Sequence, residues 1–193
     1  MQLTNLQVYL IGMNVLGMIA YVINMLLYKW MNGKQINVII NILSCIGGAF
    51  GVVLAMLLFD RKAEKRNMMI RVVAYCMLII QLLILVSMKY GFQDDLQLNI
   101  IAYFQQHRFF LYFLVMMNIV TFILFGWDKW SAIKGKYRIP IVTLLLLSAF
   151  GGSIGGLLGM YGFRHKTRKA YFRIGMPLIF ITQIILLFVM MNM

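Results

Sequence analysis

Six apolar runs alternate with short polar breaks along the chain: Val8–Tyr28, Ile36–Phe59, Met68–Met88, Phe109–Trp127, Ile139–Phe163 and Tyr171–Asn192. Each is about 19 to 25 residues long, enough for a helix that crosses a hydrocarbon core of about 30 Å. Backbone N–H and C=O groups cannot be left unpaired in lipid, so helices are the form such runs take. The breaks hold Lys29 to Gln35, Asp60 to Asn67, Lys89 to Arg108, Asp128 to Arg138 and Arg164 to Ala170. The pattern predicts an all-α, polytopic integral membrane protein with six transmembrane helices.

The runs also repeat. Shifted by 104 positions, Leu43–Lys65 falls on Leu147–Lys169 without a gap and with 10 identities in 23 positions. The matches include Ser44 with Ser148, Gly47 with Gly151, Gly48 with Gly152, Gly51 with Gly155, Lys62 with Lys166 and Lys65 with Lys169, and they extend back to Asn14 and Asn118. A self-match of this length implies a unit duplicated and fused. The expected organisation is a first three-helix repeat over 1–90, a polar linker over 91–108 and a second repeat over 109–193. Three crossings per repeat, joined by a linker too polar to cross (Asp94, Asp95, Gln105, Gln106, His107), predict inverted repeats about an axis in the membrane plane.

Loop charge does not orient this arrangement. If all six runs cross, one side collects Arg61, Lys62, Lys65, Arg66, Arg71, Lys129, Lys134, Lys136 and Arg138. The other collects Lys29, Lys34, Lys89, Arg108, Arg164, Lys166, Arg168, Lys169 and Arg173, a tie that antiparallel copies would produce.

Composition agrees with the pattern. Hydrophobic residues make up 63% of the chain and charged ones 12%, with a mean hydropathy of +0.87, which excludes an ordinary soluble domain. A net charge of +13 would suggest nucleic acid in a soluble protein. Here the cations flank apolar runs, so anionic membrane lipids are the expected partners and nucleic acid is not. Cys45 and Cys76 lie within apolar runs and read as small hydrophobes, with no metal-ligand spacing and no cofactor motif anywhere. No Lys or Arg precedes Tyr28 and no small-residue cleavage site follows the first run, which reads as a retained helix.

Within the runs the polar signal is carried by glycines and amides. Gly47, Gly48 and Gly51, and Gly151, Gly152, Gly155 and Gly159, line helix faces at spacings of three and four, where bare backbone lets another helix approach closely. The second and fifth helices are expected to cross each other along this seam, which also leaves a homo-oligomer open. Asn14 and Asn118 match by position, and Gln81 and Gln183 match with a two-residue offset. Such amides bond across helices or line a polar path. No Asp, Glu, Lys, Arg or His lies mid-run, which argues against proton coupling.

The second half carries several short motifs in order: Asp128-Lys129, Arg138-Ile139-Pro140, the paired glycines, and Phe163-Arg164-His165-Lys166-Thr167-Arg168-Lys169. Together, over about Phe113–Leu187, they resemble the small bacterial membrane family known as domain of unknown function 1294. The first half looks like a degenerate copy of the same unit, with Asn24 opposite Asp128, Ile36 opposite Pro140, and Asp60-Arg61 opposite Arg164-His165. Ile141 stands where an acidic residue commonly follows the proline. The resemblance implies a multi-pass protein of the bacterial cytoplasmic membrane and no activity.

The candidate binding residues are the interfacial cations Lys34, Lys62, Lys65, Lys129, Arg138, Arg164, His165, Lys166 and Lys169. Arginine forks suit phosphate oxygens, and lysines add point charge. With the fifth run crossing, Asp128–Arg138 and Arg164–Lys169 fall on opposite faces, and Asp128 pairs locally with Lys129. A small transport or lipid-handling protein that binds anionic headgroups is the favoured reading. The alternatives are an accessory protein assembling through the glycine seam and, last, a lipid-phosphate enzyme. No catalytic residue is assigned.

Overall fold

The computed structural model describes residues 5–30, 36–62, 64–91 and 96–193. Every regular element among them is helical: α1 (Asn5–Trp30), α2 (Asn37–Leu43), α3 (Ala49–Phe59), α4 (Met68–Tyr90), α5 (Ile100–Gln106), α6 (Arg108–Ile133), α7 (Ile141–Leu147), α8 (Ser153–Gly162), α9 (Ala170–Arg173) and α10 (Gly175–Asn192). A five-residue bend, Ser44–Gly48, joins α2 to α3, and another, Ser148–Gly152, joins α7 to α8, each with a glycine outside helical geometry. Six helical stretches are long and apolar enough to cross a membrane, close to the six apolar runs of the sequence. Large apolar side chains face outward along them, among them Ile11, Leu57, Leu82, Phe109, Ile123 and Leu158. An exterior of this kind suits lipid and not water.

The chain divides into two compact units, Met1–Leu85 and Val86–Met193. Residues 96–108, part of the expected polar linker, fall within the second unit. There the Gln97 backbone N–H donates to Asn192 Oδ1 at 2.7 Å, and Asn192 Nδ2 returns a bond to Gln97 O at 3.2 Å.

In each unit the second apolar stretch is folded in half at a glycine. In the second unit, Ile141–Gly162 is 22 residues, about 33 Å if straight. Yet Ile139, just before it, and His165, just after it, both reach the carboxylate of Asp128, at 3.0 and 2.7 Å. The middle of the stretch lies elsewhere: Gly151 faces Leu114 and Met117, three to four turns down α6. So α7 runs down α6, the chain reverses at Gly151, and α8 climbs back. Gly151 has φ +109°, a backbone state that residues with a Cβ rarely adopt. The first unit repeats the design. Ile36 bonds Asn24 at 2.7 Å and Asp60 bonds Tyr21 at 2.8 Å, one turn apart on α1. Between them Gly47, at φ +114°, faces Leu10 and Met13.

The glycine seams are therefore used inside their own units. A Cβ at Gly51 would lie 1.8 Å from the Asn14 carbonyl oxygen, and one at Gly155 1.9 Å from that of Asn118. Gly159 meets Phe125, and Gly48 meets Met13 O. The close backbone partner is the first helix of the same unit, where a crossing between the second and fifth helices had been expected. A seam covered in this way offers no free face at these positions to another protein.

Each turn of the chain leaves helix ends in an apolar setting, and the in-run amides satisfy them. Asn14 Oδ1 accepts from the Gly51 N–H at 2.9 Å, and Asn118 Oδ1 from the Gly155 N–H at 2.7 Å. Gly51 and Gly155 sit in the first turns of α3 and α8, so each Asn caps a helix from a neighbouring one. Gln81 Nε2 donates to Gly47 O at 3.1 Å. Gln183 Nε2 donates to Ser148 O and Ala149 O, at 2.7 and 2.9 Å. In the second unit Ser153 Oγ also donates to Gln183 Oε1. In the first unit Ala49 occupies the first position of the returning helix, as Ser153 does in the second, and Gln81 Oε1 has no partner. Ala49→Ser should supply that donor and stabilise the first unit by about 1 kcal/mol, read as a higher Tm in detergent.

Candidate functional site

The end of each unit where the hairpin enters and leaves is its mouth. In the second unit the mouth is built around Asp128, which is fully buried although it lies only two turns from the end of α6. Its Oδ1 accepts from the Ile139 backbone N–H at 3.0 Å. Its Oδ2 accepts from Lys166 Nζ at 2.7 Å and lies 2.7 Å from His165 Nε2. A buried carboxylate without partners is costly, and here three groups converge on it. Asp128 thus fastens both strands of the mouth, the one entering α7 and the one leaving α8, to α6.

Two expectations about this region are corrected. Asp128 does not pair with Lys129: adjacent residues point to different sides of a helix, and Lys129 Nζ instead donates to Phe163 O at 2.5 Å. Nor do Asp128–Arg138 and Arg164–Lys169 lie at opposite ends, because the fifth apolar run turns back at Gly151 and both of its ends meet Asp128.

The turn after α8 is shaped to deliver its cations. Arg164 (φ 47°) and Lys166 (φ 63°) are both left-handed, a state that costs a residue with a Cβ about 1–2 kcal/mol. The His165 N–H donates to Met160 O at 2.9 Å, and the Lys169 N–H to Lys166 O at 3.1 Å. This geometry aims consecutive side chains, His165 and Lys166, at one carboxylate. Burial holds the Lys166 ammonium below the ordinary lysine range, the Asp128 carboxylate offsets part of that shift, and Arg138 adds to it. Its Nζ also lies 5.1 Å from the centre of the buried Phe172 ring.

The remaining cations are turned outward. Arg138, Arg164, Arg168 and Lys169 are exposed, and none has a carboxylate at ion-pair distance among the described residues. Lys134 and Lys136 lie over the Trp130 ring, at 4.3 and 5.3 Å from its centre.

The first unit solves the same problem with the carboxylate on the other strand. Asp60, at the end of α3, accepts from Tyr21 Oη at 2.8 Å and Asn67 Nδ2 at 2.7 Å. The Arg71 guanidinium donates to the carbonyls of Asp60 and Lys62 and lies 3.9 Å from the Asp60 carboxylate. Asn24, on α1, accepts from the Ile36 N–H. Lys62 and Lys65 are exposed beside this cluster, while Lys34 lies outside the described residues. The sequence marked Asn24 only as the position opposite Asp128 and Arg71 only as a loop cation, and it gave no role to Tyr21 or Asn67. A polar residue at each end of an apolar run was the available signal, legible only once the run is known to fold back.

At the tip of the second hairpin, α6, Phe150 and α10 border an apolar groove. It measures about 660 Å³ and is lined by Phe113, Leu114, Phe150, Phe180 and Ile184, with Asn118 and Gln183 at its polar end. Removal of the Asn118 side chain should loosen this region. Asn118→Ala deletes the cap on α8 and the donors to Leu114 O and Gly151 O, and should cost about 2 kcal/mol by thermal unfolding in detergent.

Among the described residues, no three His, Cys, Asp or Glu side chains gather where a metal ion could be held. Asp128 holds the Lys166 ammonium, the His165 imidazole and a backbone donor, which gives it a positioning role.

The family model described as a protein of unknown function, DUF1294, matches residues 118–172. That stretch runs from the Asn118 cap through the hairpin and the Asp128–His165–Lys166 cluster to Phe172. The uncharacterized protein YsdA of Bacillus subtilis (strain 168) is 40% identical over 75 residues, which are 39% of this chain and 84% of the relative. The chain belongs to this family. No solved structure matches. The family match thus coincides with one hairpin and its mouth, and the relative is about half as long as this chain.

Proposed function

We propose that the protein binds phosphate-bearing headgroups of anionic lipids at the mouths of its hairpins, as a lipid-handling protein of the bacterial cytoplasmic membrane. The observation that carries this reading is the charge at the second mouth. Its single carboxylate is buried and engaged by His165 and Lys166, which leaves Arg138, Arg164, Arg168 and Lys169 exposed without a protein counter-ion. Arginine forks beside a lysine ammonium suit phosphate oxygens at an interface where water and lipid headgroups meet. Lys62 and Lys65 play the corresponding part in the first unit.

The shared 104-residue register, the two hinge glycines and the two Asn caps support a tandem duplication, with the motif-bearing copy second. The short relative supports a single unit as the ancestral module.

The test is retention of lipid. In native mass spectra of protein from nanodiscs of phosphatidylglycerol and phosphatidylcholine, the wild type should hold phosphatidylglycerol selectively. Arg164→Gln with Lys169→Gln should lower that retention about tenfold while Tm stays within about 2 °C, since neither side chain contributes to the Asp128 cluster. Equal retention of both lipids by the wild type would remove the proposal.

A further inference from the structure

We infer that the mouths of both hairpins open to the cytoplasm, so the phosphate-bearing ligand of the second mouth is drawn from the inner leaflet or the cytosol. The ligand part of this statement rests on the function proposed above, and the sidedness does not.

Asn37–Phe59 and Ile141–Gly162 have the length and hydropathy of crossing helices, but each begins and ends on the same turn or two of its neighbour. From mouth to tip each hairpin leg is about 10 residues, roughly 15 Å, well short of a hydrocarbon core of about 30 Å. Non-helical backbone at that depth is tolerated where protein covers it, as Asn14, Gln81, Asn118 and Gln183 do here. Each hairpin therefore enters and leaves on one side, and the four long helices α1, α4, α6 and α9–α10 make the crossings.

That path redistributes the charge. In the first unit Lys29 and the five Lys and Arg residues between Asp60 and Val72 all fall at the mouth. In the second, the four between Asp128 and Ile139 and the five between Phe163 and Ile174 do the same. Among the described residues only Lys89, at the far end of α4, and Arg108, at the first turn of α6, lie away from a mouth. The first unit then has six cations at its mouth, and the second has nine at its mouth against Lys89 and Arg108 away from it, where six straight crossings give a nine-to-nine tie. Cytoplasmic loops carry the excess of Lys and Arg, and the bias here is concentrated in short loops where the rule is strongest. Applied to each unit by itself, the rule sends each mouth to the cytoplasm. Lys62 and Lys169 then share a compartment, where inverted repeats would separate them. The inner leaflet is also where anionic headgroups meet such cations.

The experiment is cysteine accessibility in intact bacterial cells, in a Cys45→Ala, Cys76→Ala background, with a membrane-impermeant maleimide. Lys89→Cys should label from outside. Lys62→Cys and Lys169→Cys should label at least tenfold less until the inner membrane is permeabilised. Labelling of either mouth site from outside to the same extent as Lys89→Cys would overturn the inference. Trypsin on the unmutated protein gives a second readout. Cuts within Arg61–Arg66 and Arg164–Lys169 are expected in inside-out vesicles and not in right-side-out ones, and the reverse pattern would equally overturn it. In inside-out vesicles, competition of phosphatidylglycerol retention by inorganic phosphate assigns the ligand to the cytosol, and its absence assigns it to the leaflet. Loss of lipid selectivity with the labelling pattern intact counts against the binding reading alone.

Discussion

Gly155→Ala should sharply lower the Tm and the yield of folded protein in mild detergent, and Gly51→Ala should do the same to the first unit. A methyl group at either position would stand 1.9 or 1.8 Å from a main-chain carbonyl oxygen of the neighbouring helix. Side chains can rotate away from an intruding methyl, but the backbone of α6 or α1 cannot. Relief requires the returning helix to retreat by more than an ångström. That retreat breaks the Asn118 or Asn14 cap on the same residue's N–H. Overpacking alone costs roughly 1–3 kcal/mol, and the lost buried bond adds a further 1–3, together a large share of the roughly 5–15 kcal/mol that holds a typical domain. Gly162→Ala is the control, because nothing lies within 4 Å of the added methyl, and its Tm should stay within about 2 °C of wild type. Detergent size-exclusion profiles and Tm of the three variants check the prediction.

Asp128→Asn should be the most damaging substitution of a charged residue. It strips the counter-charge from Lys166 and a hydrogen-bond partner from His165, whose side chains are only 11% and 13% exposed. It also turns one carboxylate oxygen into an amide nitrogen that faces the donors gathered there. Removal of one partner from a buried ion pair costs roughly 3–5 kcal/mol, chiefly because the other charge is left stranded. Lys166→Met alone should cost less, since Asp128 retains His165 and the Ile139 N–H. Asp128→Asn combined with Lys166→Met should recover part of the loss, with a coupling energy above about 1 kcal/mol in a double-mutant cycle. Additive effects would show that the two side chains do not meet.

Much of the architecture is legible in the sequence because lipid imposes simple rules. Long apolar runs must be helices, and so the six apolar stretches follow from length and hydropathy alone. The matched glycines and amides at Gly47 and Gly151, Asn14 and Asn118, and Gln81 and Gln183 mark the places where backbones touch. What composition cannot distinguish is a straight apolar helix from one folded in half. Ile141–Gly162 has the hydropathy of a crossing helix either way. The decisive fact is a backbone angle at Gly151, which the paired glycines permit but do not require. The errors at the mouth all descend from that ambiguity. Once the run is taken as straight, Asp128 and His165 separate, Lys129 becomes the nearest counter-ion, and the loop charges tie. The motif resemblance is informative about membership and silent about geometry, because its short motifs are brought together only by the turn.

The fold-back itself is open to direct measurement. Spin labels at Pro140→Cys and Gly162→Cys, both exposed, can be placed in the cysteine-free background and read by pulsed dipolar spectroscopy in nanodiscs. The hairpin predicts a separation of about 20 Å or less between the two ends. A single peak near 33 Å, the length of a straight helix between them, would contradict the fold-back and everything built on it.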